Sequence, residues 1–409
     1  MTADLWERTQ HRIDERLREQ SISEQVGGVT VVRVTQSDLA SAYITVGVRL
    51  QSKCECTRAV HMLGAMLIDC ALASTSAWKA LHEAGGTVDV EVSPSTLWCR
   101  ITVPRRKLRL AEVVVKALFS LSDSMPSQGT QIATRAAGVM ARAQLDPSIA
   151  ARDTATRGLF GEDTGSVEIP RQAATDCDSA WSTILSLLRW SAVVLTVLSA
   201  RDEISWVDAV PPREASYRHR MPTARADKST ARLAGRGISA LAWVWTPQLT
   251  RRIVGEIVVT AFGGMASGEW QRSTRDTNGL VYRQHASWIH LDRHLNLIRV
   301  EAVCSRSALD ELDDLTEALM ARYSTQDMDT ASVDRAAAAL LGSFVSELRD
   351  PAALCVGLGR AALDGIAAVD GYWSTPTLVH RAVAEVRVTG AGSVFDRSVM
   401  HKARIEAGQ

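Results

Sequence analysis

The chain has 409 residues, enough for two domains that each bury a core of their own. Lysine plus arginine and aspartate plus glutamate number 46 each, so the formal net charge is zero and no global field draws the protein to nucleic acid or an anionic membrane. Seven cysteines, an odd count scattered through apolar segments as at Cys70, Cys99 and Cys304, read as reduced core thiols, and Cys54-x-Cys56 reads as an ordinary loop without metal-type spacing.

In chain order, the start MTADLWERTQHRIDERLREQ is charged and lacks the apolar core of a secretion signal. Ala42 to Leu50 places Ile44, Val46, Val48 and Leu50 on one side of a period-two pattern, which predicts a half-buried strand. An apolar helix is predicted from Arg58 to Ala73, then a glycine pair at Gly85-Gly86, a strand from Leu97 to Val103 and a helix around Leu110, Val114 and Leu118. Further helices are expected near 130–144, 149–159 and 172–190. The most apolar stretch, ILSLLRWSAVVLTVLSA, is broken by Arg189 and falls short of a membrane span. A soluble, cytoplasmic protein is the expectation.

The same order then recurs at an offset near 200 residues. Ile238 to Thr246 is again a strand, Leu249 to Phe262 a helix, Gly263-Gly264 a glycine pair, Leu297 to Val303 a strand and Leu312, Leu315 and Leu319 a helical stripe. Helices near 329–348, 352–366 and 375–386 complete it. A shared order without close identity predicts a duplicated strand-plus-helix domain, an α+β fold whose sheets carry helices mainly on one face. Residues 210–232, rich in Pro, Arg and small polar residues, are expected to link an N-terminal lobe (1–209) to a C-terminal lobe (233–409).

Two stretches carry chemistry. Arg58-Ala-Val-His61-Met-Leu-Gly64-Ala65-Met-Leu67, followed by Leu81-His-Glu-Ala-Gly85-Gly86-Thr-Val-Asp89, resembles the zinc helix and glycine turn of the pitrilysin/insulinase (inverted zinc-motif) peptidases, whose helix reads G-x-A-H-x-L-E-H-M-L. The resemblance places His61 at the first zinc ligand, Gly64 at the general-base glutamate and Ala65 at the second histidine. The third ligand is implied near residue 142, yet no glutamate occurs between Glu112 and Glu162. A catalytic zinc needs about three protein ligands, an open position for water and a base beside it, and these residues do not supply them. A glycine inside a helix also costs roughly 0.5–1 kcal/mol, so stability gives no evident reason for Gly64.

In the second half, Phe262-Gly263-Gly264-Met-Ala-Ser267 through Arg275-Asp-Thr-Asn-Gly279-Leu280-Val-Tyr282 is similar to the same family's Arg/Tyr segment, although Gly268, Glu269 and Trp270 depart from its S-R-L. The resemblance implies that Arg275 and Tyr282 reach a substrate held near a zinc centre. A guanidinium and a phenol are suited to a peptide carbonyl or to the oxyanion formed when it is attacked. With the pair present and the zinc set absent, the chain resembles the non-catalytic subunit of a heterodimeric processing peptidase. That implies a clamshell of two lobes binding a precursor or leader peptide as an added strand, with no metal here and zinc in a partner subunit. An inactive peptidase-like scaffold or peptide binder is the alternative.

Other features have plainer readings. His61 reads as a hydrogen-bonded core histidine. His285, His290 and His294 are expected to be scattered by a turn near Asp292 to Asn296, and Trp243-x-Trp245 reads as core. Gly357-x-Gly359 and Gly390-x-Gly392 lack the third glycine of a nucleotide loop.

Overall fold

A computed structural model describes residues 21–26, 28–50, 55–93, 95–160, 177–200, 206–210, 227–233, 238–248, 251–292, 295–326, 328–396 and 400–407. Cys54 and the side chain of Cys56 lie outside them. The first half runs β1 (Ser21–Val26), β2 (Val29–Thr35), β3 (Ser41–Arg49), α1 (Glu55–Ala73), α2 (Ser76–Glu83), β4 (Thr87–Val92), β5 (Thr96–Pro104), α3 (Leu108–Phe119), α4 (Gly129–Gln144), α5 (Pro147–Leu159), α6 (Cys177–Trp190) and β6 (Val193–Ser199). The second runs β7 (Asp227–Leu233), β8 (Ile238–Trp245), α7 (Arg252–Val259), β9 (Val281–Asp292), β10 (Leu295–Ser305), α8 (Leu309–Thr325), α9 (Thr330–Arg349), α10 (Pro351–Leu363), α11 (Ile366–Trp373), α12 (Thr375–Thr389) and β11 (Met400–Ala407).

The strands form two mostly antiparallel sheets, ordered β1-β2-β6-β3-β5-β4 and β7-β11-β8-β10-β9. Each contains one parallel pair in the same place, β2 with β6 and β7 with β11, so the duplication read from the sequence holds at the level of pairing. One expectation needs correction. Residues 227–232 of the expected linker lie in β7, whose only ladder among the described residues is to β11, some 170 residues on. A strand paired so remotely leaves no local signal. The apolar stretch ending the first half is α6 followed by β6, a strand buried along its whole length with no alternation to announce it. No helix among the described residues is long and apolar enough to cross a membrane.

Helices α1, α3 and α6 pack one face of the first sheet through Leu63, Leu67, Val114, Ile184 and Leu188, and α7 and α8 pack the second through Ile257, Leu312 and Leu319. The other face of each sheet is also covered, in each case by one helix from the other half. Helix α5 of the first half lies on the second sheet, Ala151, Ala155 and Leu159 meeting Ala242, Val244 and Ala403. Helix α10 of the second half lies on the first sheet, Leu354, Leu358 and Ala362 meeting Val32, Trp98 and Leu198.

The two exchanged helices are built alike. Asp146 and Asp350 cap them by accepting from Ser148 N and Ala352 N, both at 2.9 Å, and Pro147 and Pro351 open them. Near the far end each has a glycine where the helix touches the foreign sheet. A methyl on Gly158 would stand 2.2 Å from the His401 ring, and one on Gly359 3.0 Å from Thr196 Oγ1. Each leucine buried in these seams contributes about 1.5–3 kcal/mol, so the halves are joined by mixed cores and not by a flexible hinge alone.

Candidate functional site

The first-half site is a filled one. His61 is 3% exposed, and burial lowers its imidazole to about 4, which leaves it neutral near pH 7. Among the described residues its ring has no hydrogen-bond partner, so it is a core histidine without the bond expected for it. Ala65 is buried in the same core.

At Gly64 the expectation is overturned: a methyl there would lie 2.8 Å from Ile184 Cβ, so α6 occupies the space a glutamate side chain would need. Gly64 is required by helix–helix approach, and its propensity cost is offset by that contact. The side chain at 142, on α4, is outside the described residues. Among those described, no group of three His, Cys, Asp or Glu side chains is placed to hold a metal, and His61, Gly64 and Ala65 do not fit one.

Beside this core, Gly85 at φ +82° and the bond from Gly86 N to Leu81 O (2.9 Å) turn the chain from α2 into β4. Among the described residues β4 pairs only with β5, which leaves the other edge of its ladder without a strand partner there. Thr87, Asp89 and Glu91 are its exposed residues and alternate with half-buried valines.

The second-half site is built from irregular backbone. After α7 the helix widens into a π turn, Thr260–Gly264, and a second π turn, Arg272–Thr277, carries Arg275. Between them lie the residues that depart from the family pattern, and they anchor the loop. Gly268 sits where a methyl would meet Phe262 O at 2.7 Å. Trp270 is fully buried, stacks on Phe262 and donates to Thr316 Oγ1 at 2.9 Å. Glu269 accepts from Tyr323 Oη at 2.6 Å and pairs with Arg322. The turn closes with Leu280 N on Thr274 O (2.8 Å) and Gly279 at φ +64°.

Strand β9 then begins, and its register against β10 shifts at once. Val281 faces Cys304 and Arg283 faces Val303, so Tyr282 is the extra residue of a β-bulge and is 66% exposed. Arg275 is exposed too, and no hydrogen bond joins the pair. Next to Tyr282, Arg283 Nη2 holds both oxygens of Asp146, the cap of α5, at 3.0 and 2.9 Å.

A second bulge lies at the other end of β9, where Asp292 faces Leu295 and His290 faces Asn296. It frees the Leu291 carbonyl, which accepts from Arg49 Nη1 of the first half at 2.8 Å. Arg49, 8% exposed, also donates to Leu363 O and Asp364 Oδ1 at 2.8 Å each. The other Asp364 oxygen bonds His290 Nε2 at 2.5 Å, and His290 Nδ1 bonds Asn296 Oδ1 at 2.7 Å. Burial works to raise the Asp364 carboxyl, but bonds and charges from His290 and Arg49 prevail and hold it below the usual carboxylate range.

Arg49 thus joins the two halves, and His290 holds the carboxylate it meets, a role invisible in sequence because Asp364 lies 74 residues away. His285 is separate, its imidazole lowered by burial, and His294 lies outside the described residues. The hairpin between β9 and β10 falls where the turn is expected. Trp243 and Trp245 are fully buried, as read.

No family model matches this sequence, and no characterised protein matches it at the sequence level. Solved structures do. The fold is similar to the inactive domain of a peptidase M16 from Pseudomonas fluorescens, with TM-score 0.76 and 11% identity over 95% of this chain and 98% of that one. A putative M16-like peptidase from Alicyclobacillus acidocaldarius gives 0.65 and 15% over 95% and 98%, and a chain of complex III2 from Candida albicans 0.65 and 12% over 94% and 95%. At these identities the likeness establishes the fold alone, one shared with these M16-like structures over nearly the whole chain.

Proposed function

We propose that this chain is the non-catalytic, substrate-binding subunit of a heterodimeric zinc peptidase, acting in the cytoplasm on a precursor or leader peptide. The contrast that carries this reading lies within one scaffold. The zinc-helix positions of the first half are filled by neighbouring side chains, while Arg275 and Tyr282 stand exposed on a π turn and a β-bulge. In this reading the pair donates hydrogen bonds to the carbonyl, and then to the oxyanion, of a peptide held at the partner's zinc. The open edge of β4 is where an extended peptide adds as a strand, its backbone groups completing the ladder. Because exchanged helices tie the two halves into mixed cores, enclosing a peptide calls for a second subunit facing this one.

Expressing the chain with the product of the neighbouring gene tests this. Co-purification of a zinc-bearing protein of the same fold is expected, and failure of any such protein to bind sinks the proposal. The scaffold reading, a peptide or protein binder without a hydrolytic partner, is favoured by the likeness to a complex III2 chain and predicts binding without turnover.

A further inference from the structure

Tyr282 is set in place by its neighbours and not by bonds of its own. Among the described residues its side chain makes no hydrogen bond, and it is the bulged residue at the start of β9. A bulged residue is left out of the ladder, so its direction depends on how the chain on either side is held. Before it, the chain turns at Gly279, and Leu280 N bonds Thr274 O at 2.8 Å. After it, the next two residues are held from opposite faces of the sheet. The Gln284 side-chain amide and the hydroxyl of buried Thr274 are hydrogen-bonded, on the side where Ala286 joins the core under α7. Arg283 faces Val303, which lies in the core under α5, and its Nη2 donates to both carboxylate oxygens of Asp146 at 3.0 and 2.9 Å.

Of these holds, the last comes from the first half. Asp146 is itself fixed, because its Oδ1 also accepts from Ser148 N at 2.9 Å and caps α5, which is packed on the second sheet through Ala151, Ala155 and Leu159. The carboxylate therefore stands on the end of a packed helix. Arg283 and Asp146 are 57% and 34% exposed, and an ion pair so open to water contributes little to stability. Its effect is on geometry: it decides how the first residues of β9 lie.

We propose that Asp146 and Arg283 are positioning residues for Tyr282, so that the first half, whose zinc-helix positions are filled, orients the phenol presented by the second. This rests on the reading of Tyr282 as a substrate-binding group. Both residues act through the bulge. A donor works on an oxyanion only from hydrogen-bond distance, and a misplacement of about 1 Å is enough to lose much of the rate.

Three variants separate this role from folding. Asp146→Asn keeps an equally good N-cap on α5 and removes the charge. Arg283→Met keeps an apolar stem and removes the guanidinium. Arg283→Lys restores a cation, which can serve because a single nitrogen of Arg283 makes the contact. The full chain contains five tyrosines, so in tyrosine-labelled protein the Tyr282 resonance is identified by its loss in Tyr282→Phe. Its order parameter is expected to fall from about 0.85 to below about 0.6 in Arg283→Met and Asp146→Asn and to recover in Arg283→Lys. Mixed with the zinc-bearing partner proposed above, the two uncharged variants are expected to lower kcat about tenfold, with KM within about twofold and the complex still assembled. An unchanged order parameter in Arg283→Met overturns the proposal, as does an active mixture whose kcat that variant leaves intact. A parent mixture without turnover contradicts the peptidase reading instead, and the Tyr282 resonance still decides whether the pair positions it.

Discussion

Strands β4 and β9 close equivalent edges of the two sheets, yet one is regular and the other is bulged at both ends. In the first half the helix that leads to the edge is ordinary, and α6 packs against Gly64 so closely that no functional group fits. In the second half the corresponding helix breaks into π turns, and the bulges of β9 push Tyr282 outward at one end and release the Leu291 carbonyl to Arg49 at the other. Where the scaffold is regular it is core, and where it is irregular it exposes side chains or joins the halves.

Breaking the junction should have the largest effect on stability. Asp364→Ala leaves the buried Arg49 without its carboxylate and is expected to cost about 3–5 kcal/mol, read from urea unfolding. Because the Asp364 carboxyl is depressed, its stabilisation is complete above the unfolded carboxylate range and is lost as pH falls through its folded value. The parent chain should lose this contribution on acidification, and the variant should show none to lose.

His61 gives the next effect. Its imidazole falls from 6.5 to about 4 on burial, so the unfolded chain takes up a proton first and stability declines as pH drops from near 6.5 toward 4. The loss approaches about 3 kcal/mol. Replacing His61 with Leu should flatten that part of the profile, and an unchanged profile would show the imidazole to be accessible. Gly64→Ala tests the filled site: crowding Ile184 should cost about 1–3 kcal/mol, more than the ~1 kcal/mol a helix gains from alanine. A rise in Tm would mean the space is open. Tyr282→Phe should change stability least, within about 0.5 kcal/mol, since the hydroxyl stands in solvent.

The α+β duplication was legible because strands such as β3 and β8 alternate and helices such as α3 carry an apolar stripe, both of which are local patterns. The exchange of α5 and α10 was not, although the Asp-Pro openings at Asp146 and Asp350 and the glycines at Gly158 and Gly359 form a repeat that could have flagged it. Arg275 and Tyr282 were singled out by resemblance, whereas the π turn and bulge that expose them depend on pairing with β10 and on Trp270 and Glu269 reaching α8. The reason for Gly64 lay 120 residues away at Ile184, beyond any window of helix propensity.

The most direct test of the central claim is peptide hydrolysis by the purified chain, by the zinc-bearing partner proposed for it, and by the two together with and without Arg275→Ala. Turnover is expected only from the mixture, with kcat falling about 10²–10³-fold in the variant while the complex stays assembled. Cleavage by this chain alone, or a fully active Arg275→Ala mixture, would contradict the account.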